Sequence, residues 1–269
     1  GVIVSLHRRI LSTRLFFLQY PSAMYAMEIT VDNTLAPHTG PCPEGGARKT
    51  VYRVAGWCKP AWSVAGDFYD YIELPDSKVA VFVGDVSGKG LAAAAVKTDV
   101  CTRIRSLALR GTQPAEMLTG LNEQLSGRNQ ERFVTLLYMM LDRRTHEVET
   151  ACAGHFPPLV RRCDGTVESL HVESDLPIGV LPETRYSPTR AWLGPDDILC
   201  LYTDGIVEAM DSEQNQFGRP RLEEALRQSR PQPAAALSSI QRSVDRHVGA
   251  APQHDDATIL CVGSEKDAW

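Results

Sequence analysis

The stretch from Val64 to Gly90 constrains this chain most, because it places two acids at the outer ends of a predicted β-hairpin. Two short apolar runs flank Asp76-Ser77, a pair with the composition of a tight turn. A hairpin brings the outer ends of its strands together, so we expect Asp67 and Asp85 to be neighbours. Two carboxylates held together in a folded site need a proton, a base or a metal ion to neutralise them.

The composition is that of an ordinary globular protein and excludes several classes. Of 269 residues, 43% are hydrophobic and 23% charged, which disfavours a disordered chain and membrane insertion. A net charge of −5 disfavours a nucleic-acid partner, since such proteins normally carry a basic surplus. The seven cysteines form no Cys-x-x-Cys pair. This pattern favours reduced thiols in a cytoplasmic protein over a zinc site or a disulfide framework.

The order of patterns predicts an α+β domain. Helical spacing in residues 1–20 and Pro/Gly-rich composition in 30–50 mark residues 1–50 as a helix and linker segment, a candidate connector to an upstream domain. The catalytic domain is predicted at 51–264, with a tail at 265–269. Within it, strands come in antiparallel-looking pairs, and helices are grouped at 91–109, 114–125, 221–228 and 233–247.

Acids recur at the ends of predicted buried strands. Besides the hairpin acids, Asp204 follows the apolar run 198–202, and Asp255-Asp256 precedes the run 258–262. Each acid alone is more often a turn or cap residue. Together they gather hard oxygen ligands on one rim of a sheet, which suits Mg²⁺ or Mn²⁺. Two such ions sharing a carboxylate would activate water for phosphoester hydrolysis.

Two competing motif interpretations fail on spacing. The run 84–90 is one residue too short for a phosphate-binding P-loop, and it ends in Gly where Ser or Thr should stand. Ser87 lies in Gly-x-x-Ser-Gly and not in the Gly-x-Ser-x-Gly of a hydrolase nucleophile elbow. We therefore interpret Ser87 and Lys89 as turn and helix-entry residues.

Several motifs, taken in order and spacing, resemble the SpoIIE-like branch of the metal-dependent PPM serine/threonine protein phosphatases. The resemblance runs from about Val51 to Val262. It is carried by Ala65-Gly-Asp-Phe-Tyr-Asp70, Gly84-Asp-Val-Ser-Gly-Lys-Gly-Leu-Ala-Ala-Ala94, Ala153-Gly-His-Phe-Pro-Pro158, Leu201-Tyr-Thr-Asp-Gly205 with Glu208, Phe217-Gly218, and Asp255-Asp-Ala-Thr258.

The resemblance implies a four-layer α-β-β-α sandwich of two antiparallel sheets flanked by helices. It also implies a two-ion site, of Mn²⁺ or Mg²⁺, that hydrolyses phosphoserine or phosphothreonine without a phosphoenzyme. By matching motifs, Asp85 should bridge both ions. Asp67 and the backbone carbonyl of Val86 would serve one ion, and Asp204 and Asp255 the other.

Three assignments near these motifs need a choice between alternatives. Asp67 and Asp70 point to opposite faces of a strand, so only one of them can reach the ions. The resemblance implies that Asp67 is the ligand, because it matches the family's ligand position, and Asp70 is assigned as structural. Asp255 is preferred to Asp256 as the ligand because the family's second position is often Asn, and Asp256 could instead orient a metal-bound water. His155 lies in a Pro-rich corner. We interpret it as a residue that packs there or supports a metal ligand, in preference to a general acid.

The sequence departs from the family pattern at three places. Ala65 stands where the family has Gly and Phe156 where it has Asn, and neither change removes a ligand. Upstream, 32–49 is Pro/Gly-rich where the family often has an amphipathic helix that carries signals from a sensor or receiver domain.

The leading hypothesis is a cytoplasmic bacterial protein serine/threonine phosphatase. The resemblance points to an anti-sigma-factor antagonist of the STAS type as its phosphorylated substrate, in a partner-switching pathway. The alternatives are an inactive phosphatase-like adaptor that binds a regulator and a phosphatase for small metabolites. Retention of all the expected acids favours the enzyme, and a homodimer is left open.

Overall fold

The computed structural model describes residues 25–27, 50–126 and 132–266. The helix predicted in residues 1–20 and most of the linker lie outside the described residues. In the described part, strands and helices alternate in groups. The strands are β1 Tyr25–Met27, β2 Thr50–Lys59, β3 Phe68–Leu74, β4 Lys78–Val86, β5 Val134–Asp142, β6 Glu147–Ala153, β7 Leu159–Arg161, β8 Val167–Ser169, β9 Ser174–Asp175, β10 Thr189–Trp192, β11 Ile198–Tyr202 and β12 Ala257–Lys266. The helices are α1 Leu91–Ala108, α2 Pro114–Leu125, α3 Asp204–Val207, α4 Gly218–Arg227 and α5 Pro233–Val248.

These strands form two sheets, and nearly all pairs are antiparallel. Sheet A has the order β1-β2-β12-β11-β7-β8, and sheet B has the order β10-β6-β5-β4-β3, with β9 added in parallel beside β6. The longest pairing joins β2 to β12 and runs from Thr50 opposite Lys266 to Lys59 opposite Ala257. Within sheet A, an early strand of the described chain is therefore paired with the last one.

Side-chain alternation along the strands produces four layers. In β4, Val79, Val81 and Val83 point into the apolar layer between the two sheets, where they meet residues of sheet A such as Leu201 and Leu260. The alternate residues Ala80 and Phe82 point the other way, into a core shared with α1 and α2. The outer face of sheet A packs in the same manner on α4 and α5. The predicted α+β sandwich with helices outside two central sheets is confirmed.

The helices begin where local sequence favours them. Gly88 and Gly90 precede α1 with φ of 90° and 80°, a left-handed conformation that glycine adopts readily. Pro114 and Pro233 stand at the first turns of α2 and α5, where proline's missing N–H costs no hydrogen bond. Among the described helices, none is long and apolar enough to cross a membrane.

Candidate metal centre

The hairpin of β3 and β4 brings its two acids together as predicted. Phe68 pairs with Gly84, so Asp67, one residue before β3, lies opposite Asp85 near the end of β4. At the other end, Asp76 and Ser77 both have positive φ, 58° and 62°, as a type I′ turn requires. The turn thus fixes the register that places the two carboxyl groups side by side.

A second pair of acids comes from sheet A. Asp204 begins α3, one residue after the end of β11, and Asp255 lies in the loop before β12. These strands are antiparallel neighbours, with Tyr202 opposite Ile259, so the end of β11 adjoins the start of β12. The acids of both sheets influence one another, because Asp204 and Asp255 both raise the pKa of Asp85.

Electrostatic repulsion within this cluster is strong. Burial, and then the charges of Asp204 and Asp255, raise the pKa of Asp85 to about 7. Burial and the charge of Asp85 raise the pKa of Asp67, and burial and Asp255 raise that of Asp204. Glu208 follows the same trend: burial and then Asp204 raise its pKa. The cluster therefore favours a bound positive charge.

The donor atoms suit a hard divalent cation. A Cβ built on Gly66 would lie 3.0 Å from the carbonyl oxygen of Val86, 3.2 Å from Asp85 Oδ1 and 3.6 Å from the carbonyl oxygen of Gly88. Three oxygens thus converge on space that any larger residue would fill, and oxygen ligands are those that Mg²⁺ and Mn²⁺ prefer.

The carboxylates themselves are more widely spaced. In the part of the chain that the structure describes, no group of three His, Cys, Asp or Glu side chains is close enough to hold a metal ion by itself. Mg²⁺ usually keeps several water ligands and uses only one or two carboxylates, so this spacing is compatible with its coordination. The residues fit a divalent cation in charge and in donor type.

Asp256 has a different environment from its neighbour Asp255. Its two carboxylate oxygens accept hydrogen bonds from the backbone N–H groups of Ala61, at 2.7 Å, and Gly66, at 2.6 Å. Asp256 thereby ties the loop before β3 to the start of β12. The Asp255 side chain is half exposed and lies 4.0 Å from Lys89 Nζ.

Sequence reasoning missed Thr203, which holds Asp67 in place. Thr203 Oγ1 donates to Asp67 Oδ2 at 2.7 Å and accepts from the backbone N–H of Thr258 at 3.0 Å. This fully buried hydroxyl connects the two sheets at the acid cluster. A polar β-branched residue between a buried strand and Asp204 was the available signal.

Asp70 faces away from the cluster. Its Oδ2 forms an ion pair with Arg105 of α1 at 2.5 Å, and its Oδ1 accepts from the backbone N–H of Tyr71. The face of β3 that carries Asp70 also carries Phe68 and Ile72, which pack in the core shared with α1. These contacts agree with its assignment as a structural residue.

His155 is enclosed at the corner between β6 and β7. Its Nδ1 is 3.0 Å from Thr135 Oγ1, and its Nε2 is 3.2 Å from the carbonyl oxygen of Tyr202. Because a carbonyl oxygen only accepts, Nε2 carries the proton and Nδ1 accepts from the hydroxyl. Burial lowers the pKa of His155 to about 4, so the ring is neutral near pH 7.

Comparison with known proteins identifies the family. The model of the family Stage II sporulation protein E (SpoIIE) matches residues 75–264. The phosphoserine phosphatase RsbU of Bacillus subtilis is 26% identical over 209 residues, which cover 75% of this chain and 60% of RsbU. For the first three curated relatives, the matched region spans 36%, 37% and 60% of their length.

Solved structures show the same fold. The SiaA-PP2C domain of Pseudomonas aeruginosa superposes with a TM-score of 0.68 at 24% identity, over 80% of this chain and 86% of that one. RsbX in complex with magnesium superposes with a TM-score of 0.62 at 13% identity, over 80% of this chain and 96% of that one. The chain has the PP2C phosphatase fold and belongs to the SpoIIE family.

Proposed function

We propose that this chain is a metal-dependent protein serine/threonine phosphatase that hydrolyses phosphoserine or phosphothreonine with water activated by two divalent ions. The observation that carries the proposal is the meeting of acids from two sheets beside the oxygen-lined space at Gly66. The similarity to RsbU, a phosphoserine phosphatase, supports the reaction. The similarity to RsbX, whose structure contains magnesium, supports the cofactor class.

The proposed roles follow the positions of the acids. Asp85 would contact both ions, with Asp67 and the Val86 carbonyl at one and Asp204 and Asp255 at the other. Bound divalent ions supply Lewis acids that lower the pKa of water and neutralise charge on a phosphoryl group. The chain's own contribution is rigidity, since Thr203 fixes Asp67 and Asp256 fixes the loop that carries Gly66.

The wider setting of the enzyme extends this proposal. Residues 51–264 carry the acid cluster and most of the phosphatase domain, and β1 adds a short strand to its sheet A beside β2. The substrate is a phosphorylated antagonist of the STAS type in a cytoplasmic partner-switching pathway. Similarity to RsbU and to the phosphoserine phosphatase RsbP supports this setting.

Substitution of the acids tests the activity. We expect Asp85→Ala and Asp204→Ala each to lower the Mn²⁺-dependent hydrolysis of p-nitrophenyl phosphate at least 100-fold, because each removes a central oxygen ligand. Asp70→Asn is the matched control from the same hairpin and should retain activity, since its carboxylate contacts Arg105. Circular dichroism checks that all three variants fold. Wild-type rates in both alanine variants would refute the assignment.

One observation favours a second candidate, an inactive phosphatase-like adaptor. The carboxylates of the described residues do not by themselves form a three-ligand group. Calorimetric titration of the wild-type protein with Mn²⁺ at neutral pH separates the two candidates. Binding together with hydrolysis supports the enzyme, whereas absence of both supports the adaptor.

A further inference from the structure

A cleft of about 680 Å³ lies beside the acid cluster. It is lined by Trp62, Ser63, Val64, Lys89, Gly90 and Leu91. The side chains of Trp62 and Leu91 are 60% and 82% exposed. Single exposed apolar residues are common, but adjacent large ones at a concave surface are typical of binding sites.

Both walls of the cleft continue directly into the proposed active site. One wall ends at Val64, two residues before Gly66 and three before Asp67. The other runs back from Leu91 through Lys89 to the Val86 carbonyl oxygen, which faces Gly66. A ligand in the cleft therefore lies next to any phosphoryl group held at the acids.

Lys89 connects the apolar surface with the charged site. Its ammonium group lies 5.7 Å from the centre of the Trp62 ring and donates to the carbonyl oxygen of His254 at 3.1 Å. It also lies 4.0 Å from Asp255 Oδ1. A cation at this position complements the negative charge of an arriving phosphoryl group.

We propose that the cleft recognises the substrate of the proposed phosphatase: a protein segment with a large apolar side chain one or two residues from its phosphoserine or phosphothreonine. The apolar side chain packs on Trp62 and Leu91, while Lys89 attracts the phosphoryl group. In an extended segment, neighbouring residues are about 3.5 Å apart along the chain, so only nearby positions reach the cleft. This proposal rests on the proposed function.

Phosphopeptide kinetics test the cleft. The probes are p-nitrophenyl phosphate and four phosphoserine peptides. The peptides carry leucine at the two positions before the phosphoserine, at the two positions after it, on both sides or on neither, with alanine elsewhere. With Mn²⁺, we expect the wild-type protein to prefer at least one leucine peptide over the alanine peptide about tenfold in kcat/KM. Trp62→Ala should abolish this preference by raising KM, and Trp62→Phe should largely keep it.

The small substrate separates recognition from catalysis. Trp62→Ala should lower kcat/KM less for p-nitrophenyl phosphate than for a leucine peptide, because that ester carries no leucine side chain. Lys89→Gln should raise KM for every phosphorylated probe alike. Equal wild-type rates on all four peptides, or an equal loss on peptides and p-nitrophenyl phosphate in Trp62→Ala, would overturn the proposal.

A binding measurement distinguishes failure of the cleft from failure of the proposed function. The metal-free protein in EDTA is titrated calorimetrically with the same four peptides. If a leucine peptide binds more tightly than the alanine peptide, and Trp62→Ala weakens that binding about tenfold, the cleft is supported even when no probe is hydrolysed. Binding without any leucine preference overturns the cleft even if hydrolysis of p-nitrophenyl phosphate is normal.

Discussion

At the scale of single residues, Asp255 and Asp256 show how adjacent acids acquire different tasks. Asp256 is buried, and both its oxygens accept hydrogen bonds from backbone N–H groups of a loop about 190 residues away in sequence. Asp255 keeps an oxygen directed towards the N–H of Asp256 and otherwise faces the acid cluster and Lys89. One acid anchors the loop, and the other is free for a cation.

We therefore expect alanine substitutions at these two positions to differ in their effect on the free energy of unfolding. Asp256→Ala leaves the buried N–H of Gly66 and the partly buried N–H of Ala61 without acceptors and should lower the free energy of unfolding by about 2 to 4 kcal/mol. Asp255→Ala should change it by less than about 1 kcal/mol, because its side chain is half exposed. Urea denaturation in EDTA measures both values.

Metal binding supplies the second half of this test. Asp255→Ala should weaken Mn²⁺ binding at least tenfold in calorimetry, since it removes a proposed ligand. Equal loss of stability in the two variants would contradict the division of tasks. So would unchanged Mn²⁺ affinity in Asp255→Ala.

At the scale of elements, the corner between β6 and β7 carries the chain from sheet B to sheet A. His155 joins Thr135 of β5 to the carbonyl oxygen of Tyr202 at the end of β11. The imidazole must stay neutral to accept from the hydroxyl while donating to the carbonyl. Its protonation therefore opposes the contact between the sheets at this corner.

The lowered pKa of His155 gives a pH dependence of stability. The folded state, with a pKa of about 4, binds fewer protons than the unfolded state, whose histidine titrates near 6.5. The neutral His155 ring therefore makes its full contribution to the free energy of unfolding above pH 6.5. This contribution, up to about 3 kcal/mol, is lost as the pH falls towards 4. His155→Gln keeps a donor for Tyr202 and does not titrate, so its unfolding free energy should fall less over that window.

Urea denaturation of both proteins at several pH values between 4 and 7 measures this difference. The curves of unfolding free energy against pH should converge as the pH falls. Parallel curves would show that His155 does not titrate in this window.

The elements themselves were largely predictable from sequence. The structure has α2 at Pro114–Leu125, as predicted, because proline at its first turn and an apolar stripe mark both ends. The hairpin acids were also predictable, since a turn fixes register locally. The short strand Thr189–Trp192 was missed because four half-exposed residues give too little alternation to recognise.

Contacts between distant segments were not predictable in the same way. Asp204 and Asp255 approach each other only because β11 pairs with β12, and local pattern does not specify that pairing. The anchoring of Gly66 by Asp256 and of Asp67 by Thr203 also depends on the packing of the two sheets. The acids could therefore be found from sequence, whereas the residues that hold them required the fold.

At the scale of the whole molecule, the fold gathers mutually repelling carboxylates where its two sheets meet. Burial and neighbouring acids raise the pKa of Asp85 to about 7, so its ionised form opposes folding. A carboxyl group whose pKa is raised in the folded state lowers the free energy of unfolding by its full amount once the pH exceeds that raised pKa. The effect disappears below the group's pKa in the unfolded state, near 4. Without a bound cation, the protein should lose stability from this group as the pH rises from 4 to 7.

We expect divalent cations to reverse this cost. At pH 8, Mn²⁺ at 100 times its dissociation constant should stabilise the protein by about 2.7 kcal/mol, which corresponds to a rise in Tm of roughly 5 to 10 °C. Asp85→Asn removes a charge from the cluster, so its metal-free Tm should exceed that of the wild type, and its response to Mn²⁺ should be small. Asp70→Asn, whose carboxylate contacts Arg105, should keep the full response. Thermal unfolding with Mn²⁺ or EDTA measures all three proteins, and an equal response in wild type and Asp85→Asn would show that the cation binds elsewhere.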